Sequence, residues 1–395
     1  MPTENLDFLQ NQLITYIGNK RSLLPFINQG IKQVKKALGK DKLSFLDLFS
    51  GSGIVSRFFK QHANFIASND LEKYSYIING CYLTDKTDEL ESKLQPLYKK
   101  LTDNIELRIH SLEKDRTSGN FKAPGFISEL YAPKELNSIK ASDRCFYTPY
   151  NANYIDIARQ EINKIIPDDL QKYFIAPLLS EASIHTNTAG IFKGFYKNSK
   201  TKTGQFGGDG KNALSRILGN IKLSYPVFSN FGCQFKVFNE DANSLVLKPE
   251  LYDFYNKNQD EIFDLAYLDP PYNQHPYGSN YFMLNLIANY IRPETEKISR
   301  VSGIPNNWNR SAYNKKRQVA QTFKELVQNI RAAFVLISFN SEGFISKDEM
   351  MQLMEECGTV TRLEASYNTF RGSRNLSGRS IHVKEYLFLV DKRKK

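Results

Sequence analysis

Asp269-Pro270-Pro271-Tyr272 follows the apolar run Ile262-Phe263-Asp264-Leu265-Ala266-Tyr267-Leu268. A carboxylate, two prolines and an aromatic ring at the end of a buried strand can hold a flat, neutral heterocyclic amine in front of an electrophile. The lone pair of such an amine is delocalised into its ring, so it is a poor nucleophile until an acceptor draws on its N–H. Asp269 is suited to be that acceptor. Proline fixes its own φ and has no N–H, so Pro270-Pro271 gives a stiff turn whose Pro270 carbonyl can take the second amino hydrogen. Tyr272 offers a ring face, and stacking an unpaired base on it contributes roughly 1–3 kcal/mol. The pattern points to methylation of an adenine amino group. That atom is out of reach inside a duplex, so the base must be flipped out at a cost of a few kcal/mol.

A second segment must supply the electrophile. Lys42 to Lys60 reads as an apolar strand, a glycine turn and an amphipathic helix. Gly51 and Gly53 let the backbone approach a ligand, and the helix N-terminus behind them suits the carboxylate end of S-adenosylmethionine. A second strand, Asn64 to Ser68, ends in Asn69-Asp70, and an acidic residue at this distance from a glycine turn is a usual ribose-hydroxyl acceptor. Alone, this pattern is equally compatible with a dinucleotide cofactor. Two departures argue against a dehydrogenase: the turn lacks a third glycine at the usual spacing, and the Asp-Pro-Pro-Tyr run has no place in hydride transfer.

YIGNK at 16–20, DLFSGSG at 47–53, SND at 68–70, NEDAN at 239–243, LDPPYNQHPYGSNYFMLN at 268–285, VLISFN at 335–340 and YNTFRGSRNL at 367–376 together extend over nearly the whole chain. In these segments and their order the chain resembles the Dam-like DNA adenine-N6 methyltransferases of the D12 class, particularly the modification methylases of restriction systems. The resemblance implies that Tyr16, Gly18 and Lys20 approach the cofactor's methionine end and the target pocket. It further implies that Asp47, Phe49, Gly51 and Gly53 form the cofactor loop, with Asp70 on the ribose and Asp241 beside the cofactor adenine. For Asp241 a plain surface turn is the alternative. The same resemblance implies that Asp269 to Tyr272 form the catalytic pocket, with Asp269 also facing the cofactor.

The remaining chain properties agree with this. At 395 residues, 41% of them hydrophobic, and a mean hydropathy of −0.47, the chain has enough length for a large core and two or three domains. A net charge of +11 favours a polyanionic partner. Cys81, Cys145, Cys233 and Cys357 stand far apart without metal-ligand spacing, so no metal is expected and the thiols read as reduced, in a cytoplasmic protein. No leader-like apolar core opens the chain, and no run approaches the ~18 apolar residues of a bilayer span.

Between Asp70 and Phe235 the strand-helix alternation lapses, and this is where Dam-like enzymes place target recognition. Lys99 to Arg116 reads as a charged helix, Phe146 to Asn151 as an aromatic turn, and Ile162 to Ile184 as apolar at helical spacing, packed on the core. Asn187 to Arg216 interleaves Lys193, Lys197, Lys200, Lys202, Lys211 and Arg216 with Phe192, Phe195, Tyr196 and Phe206. Its glycines suggest a mobile loop folding against a groove, with Lys193, Tyr196, Lys197 and Lys202 touching DNA. Asn273 to Asn280 reads as a flexible loop over the pocket. Ser302 to Arg317, with Trp308, is either a DNA-contacting loop or the anchor of a surface excursion. Arg371 and Arg374 lie in a basic loop before the final strand and suit backbone phosphates.

The expected architecture is an α/β Rossmann-like core with a mixed sheet and helices on both faces. Its divisions are a cofactor half at 1–80, an inserted recognition region at 81–232 partly packed on the core, and a catalytic half at 233–395. The expected activity is site-specific transfer of a methyl group from S-adenosylmethionine to N6 of adenine in duplex DNA, with a cognate restriction endonuclease as a possible partner. Asp269 rather than serine argues against N4-cytosine methylation, and no cysteine follows a proline as C5-cytosine chemistry needs. RNA adenine methylation, glutamine methylation and a DNA-binding module without catalysis are more remote alternatives.

Overall fold

A computed structural model describes residues 3–10, 13–211, 213–253, 262–271, 274–340, 343–368 and 382–393. Unbroken apolar runs make stable strands only where both faces of the sheet are covered. The described residues form β1 (Leu43–Asp47), β2 (Ala63–Asn69), β3 (Gln234–Phe238), β4 (Phe263–Leu268), β5 (Ala332–Asn340), β6 (Thr359–Asn368) and β7 (His382–Asp391), of which the partly exposed edge strand β3 and the polar-rich edge strand β6 are not such runs. The seven lie in one sheet in the order β3-β2-β1-β4-β5-β7-β6. Strands β1 to β5 pair in parallel, and β7 lies antiparallel between β5 and β6, so the sheet is mixed.

Successive side chains of each strand point to opposite faces, which divides the central core in two. Leu46, Ala266, Val335 and Ile337 pack under the helices Val319–Asn329 and Lys347–Glu355. Phe45, Leu265, Tyr267 and Leu336 pack under the helix Leu24–Leu38 and the short helix Ile54–Phe59. A third cluster joins the helices Asp88–Thr117, Pro149–Ile165 and Lys172–Ile184 to Lys73–Tyr82 and Phe282–Asn289. The 81–232 region thus shares its core with the helices that follow β2 and the Asp-Pro-Pro-Tyr run.

Several local expectations change. The charged helix begins at Asp88, where Thr87 caps it by accepting from Leu90 N at 3.1 Å and acidic residues fill the first turn. Phe146 to Asn151 is a helix start rather than a turn: Thr148 accepts from Asn151 N and Pro149 occupies the first turn. The apolar stretch from Ile162 breaks in two because Ile166, preceding Pro167, is extended. The helix after the glycine turn spans only Ile54–Phe59, and burial on nearly all sides replaces the expected amphipathic pattern. Arg57 there donates to the Phe8 carbonyl at 2.5 Å.

Candidate active site

The chain turns one way from β1 to β2 and the other from β4 to β5, so a crevice opens at the carboxyl ends of β1 and β4. Asp47 pairs with Tyr267 across these strands, which brings the Asp47–Gly53 loop beside Asp269. The cleft between them is lined by Tyr16, Gly18, Lys20, Asp47, Phe49, Gly51, Asp70, Asp241, Asp269 and Pro271. Of the expected pocket residues, Pro270 is buried behind it and Tyr272 lies outside the described residues. Gly53 sits one residue beyond the lining Ser52 and starts the short helix.

The loop's glycines are required twice over. Gly51 has φ +51° and Gly53 φ +73°, a region that side-chain-bearing residues enter at a cost. A Cβ at Gly51 would fall 2.7 Å from the Tyr16 ring, and one at Gly53 2.8 Å from Asn79 Oδ1. Gly51 N donates to Asp70 Oδ2 at 2.7 Å and Glu72 N to Asp70 Oδ1 at 2.9 Å. Asp70 therefore ties the glycine loop to the end of β2. Asp241 caps the turn Ala242–Leu245 by accepting from Ser244 N at 3.0 Å. Phe49 meets the buried Tyr313 edge to face at 5.2 Å.

The cleft is acidic although the chain is basic. Burial pushes Asp47 up to about 7, against the 2.7 Å hydrogen bond from Ser56 Oγ to its Oδ2. Its Oδ1 is buried without a hydrogen-bond partner. Enclosure lifts Asp70 to about 6, against the amide donors just named. Glu72 is 3% exposed and rises to about 7, through burial first and the Asp70 charge second. The buried cation facing them is Lys20, whose Nζ lies 3.2 Å from Asp269 Oδ1. Burial pulls the Lys20 ammonium down, but Asp269 and then Glu385 outweigh it and hold it above its ordinary value.

An aromatic stack closes one side. The rings of Tyr16, Tyr277 and Tyr281 cluster nearly parallel, with centroids 5.0 Å (Tyr16–Tyr277), 4.9 Å (Tyr16–Tyr281) and 5.8 Å (Tyr277–Tyr281) apart. Tyr277 Oη donates to the Ile17 carbonyl and Ile17 N to Tyr281 Oη. Of the stretch 273–280 expected as a flexible loop, Asn273 lies outside the described residues, Gln274 to Pro276 are non-helical, and Tyr277–Asn280 form a helical turn bonded to the YIGNK segment.

Sequence reasoning missed Glu72 and Asn309. Asn309 Nδ2 donates to the Leu71 carbonyl at 3.0 Å and to Glu72 Oε2 at 3.1 Å, and Asn285 also donates to that oxygen. Gly278 packs so closely on the Asn309 backbone that a Cβ there would collide with it. Ser311, Tyr313 and Asn314 complete this wall. A lone polar residue, read from the sequence, carries no signal of such a role.

The candidate DNA-contacting segment also differs from expectation. Phe192 and Phe195 are core residues. Asn187 donates to the carbonyls of Cys145 and Gln205, both at 2.8 Å, and accepts from Gly207 N, so the 187–207 stretch is pinned. Phe192 N donates to the Asn280 carbonyl at 2.7 Å, fastening it to the Tyr277–Asn280 turn. Arg216 is used internally, donating to the carbonyls of Ile184, Thr186 and Thr188. Lys193 and Lys202 are exposed, Lys197 lies over the Phe195 ring, and Tyr196 is half-buried. Arg371 and Arg374 lie outside the described residues.

The crevice lies beside the Asp-Pro-Pro-Tyr run, and the family comparison gives the class of protein. Residues 16–353 match the model of the D12 class N6 adenine-specific DNA methyltransferases, and the chain belongs to that family. It is 28% identical over 381 residues to Type II methyltransferase M.CviAII of Paramecium bursaria Chlorella virus 1, covering 95% of this chain and 98% of that protein. It is 28% identical over 393 residues to Type II methyltransferase M.NlaIII of Neisseria lactamica, covering 96% and 99%. Modification methylase StsI of Streptococcus sanguinis is 27% identical over 389 residues, covering 96% of this chain and 52% of that protein. Methyltransferases of this kind in general take their methyl group from S-adenosylmethionine. Among the described residues no helix is long and apolar enough to cross a membrane.

Proposed function

We propose that the crevice binds S-adenosylmethionine and that Asp269 faces the amino group of an adenine flipped out of a short, specific duplex site. One observation carries this reading: Asp269, held by Lys20, opens into the same cleft as the Gly51 loop and Asp70. The donor set suits the cofactor. S-adenosylmethionine bears two positive charges and one negative at neutral pH. The walls offer Asp47, Asp70, Glu72 and Asp241, a glycine cradle that a Cβ would fill, and an unpartnered Asp47 Oδ1.

The bound sulfonium supplies an electrophilic methyl carbon. Asp269 accepts one N6 hydrogen and the Pro270 carbonyl the other, which localises the nitrogen lone pair and aims it into the cleft. As the N–C bond forms and the C–S bond breaks, the nitrogen becomes acidic and its proton leaves along the hydrogen bond to Asp269. No stronger base is needed. Tyr272 stacks on the base, and Lys20 keeps Asp269 ionised and oriented. Tyr16 and Gly18 close the methionine end, Phe49 and Gly53 shape the loop, Asp70 takes the ribose hydroxyls, and Asp241 approaches the cofactor adenine.

In this reading residues 1–80 and 233–395 are the cofactor and catalytic halves and 81–232 the target-recognition region. Lys193, Tyr196, Lys197, Lys202, Arg371 and Arg374 contact the DNA. The relatives' names support a role in a restriction-modification system, with a cognate endonuclease acting on the same site. The test is methylation of unmethylated genomic DNA with labelled S-adenosylmethionine, followed by nucleoside chromatography and single-molecule sequencing. Label in N6-methyladenine at one short motif is expected. Label in N4-methylcytosine overturns the target, and no label despite cofactor binding overturns the catalytic assignment.

A further inference from the structure

We propose that the segment Trp308–Arg317 docks the phosphate backbone of the DNA beside the flipped adenine, on the outside of the wall whose inside lines the cofactor cleft. The inference rests on the functional reading above and adds a surface to it. Asn309, Ser311, Tyr313 and Asn314 face the cleft, and the intervening or following Arg310, Lys315, Lys316 and Arg317 are exposed. Among the described residues none of these four cations meets a carboxylate. Arg310 instead lies over the Trp308 ring at 4.3 Å and donates to the Asn306 carbonyl at 3.2 Å.

The segment is held at two points. Asn309 is fastened to Leu71 and Glu72, and Tyr313 is 1% exposed with its hydroxyl donating to Asn243 Oδ1 at 2.7 Å. A surface fixed before binding loses little conformational entropy when it docks, which favours affinity. Exposed cations without a carboxylate partner, directly following the cleft-lining Asn314, are what a passing sugar-phosphate strand needs, because neutralising phosphates releases counterions. For a base to enter the cleft, its own strand must run close to the cleft's walls.

The test is DNA binding by fluorescence anisotropy over a salt series, with S-adenosylhomocysteine present, for the wild type and for Lys315→Ala/Lys316→Ala/Arg317→Ala. A glutamine triple variant at the same positions guards against a packing effect. Each lost phosphate contact should lower the salt slope by about 0.9, so a total decrease of about 2–3 is expected. Specific and non-specific DNA should weaken alike, and the melting shift caused by S-adenosylhomocysteine should not change. A wild-type slope in either triple variant overturns the proposal. Loss confined to the specific site also overturns it, since that would mean base reading. Failure of the underlying function is separable: it shows as a wild-type protein that transfers no methyl to adenine, whatever the slopes.

Discussion

Lys20 Nζ and Asp269 Oδ1 stand 3.2 Å apart, joining the YIGNK segment to the end of β4 with the lysine 4% and the aspartate 18% exposed. Breaking a buried pair by removing one partner costs about 3–5 kcal/mol, and the partial exposure of Asp269 places this one at or below the lower end. If that loss is felt in the transition state, Lys20→Met should lower kcat/KM for methylation by roughly 10- to 100-fold. Loss of the ammonium favours the neutral acid, so the acid limb of the pH profile should move to higher pH. Lys20→Arg should restore part of the rate. A Lys20→Met profile superimposable on the wild type would remove the lysine from the mechanism.

Asp269→Ala should abolish transfer while sparing the cofactor. Its melting shift with S-adenosylhomocysteine should match the wild type within about 1 °C, since 1 kcal/mol moves the midpoint of a large domain by about 2–4 °C. Near-normal turnover in this variant would sink the proposed role.

Gly51→Ala should act the opposite way. The substitution forces a side chain into φ +51° and against the Tyr16 ring, with a backbone cost of about 1–2 kcal/mol per residue. S-adenosylhomocysteine should then bind at least about tenfold more weakly by calorimetry. Unchanged affinity would show that the loop does not touch the cofactor.

Cofactor affinity should depend on pH. Asp70 near 6 and Asp47 and Glu72 near 7 are raised by burial, so they are largely neutral below pH 6 and charged at pH 8. The dissociation constant for S-adenosylmethionine should fall as pH rises from 5.5 to 8. Methylthioadenosine, which lacks the charged groups, serves as the control. Equal pH dependence for both ligands would contradict the charge argument.

The same raised carboxylates limit stability. The native state holds the Asp47 proton to about pH 7, whereas an unfolded aspartate loses it near pH 3.9, so stability falls as pH rises between those values. Asp47→Asn should raise the unfolding free energy at pH 8 by on the order of 1 kcal/mol, a melting-temperature rise of about 2–4 °C, and change little at pH 4. A variant less stable at pH 8 would reverse the sign of this contribution.

The sheet and the two motifs at its crevice were legible because each concentrates its signal in a short run. Leu43–Asp47 ends in a glycine turn, and Phe263–Leu268 ends in Asp269-Pro270-Pro271. Glu72 and Asn309 were not legible even beside Asp70 and Trp308, since their meeting depends on how distant segments pack. The 187–207 stretch misled through its glycines and lysines. A single buried amide, Asn187, substitutes there for the regular backbone ladder a sequence pattern would reveal. The start at Thr148-Pro149 and the break at Ile166-Pro167 were readable in principle, because both rest on local backbone rules.

The place of β1 in the sheet also governs how the chain can be made. Leu46 pairs with Ala67 on one side and with Ala266 on the other, so β1 lacks its second neighbour until two-thirds of the protein has been synthesised. At about 5–20 residues per second this leaves its inner edge uncovered for on the order of tens of seconds on the ribosome. Such distant pairings also slow folding. A truncated product ending before β4 would carry the glycine loop on an open strand edge, a species for chaperones rather than a half-enzyme.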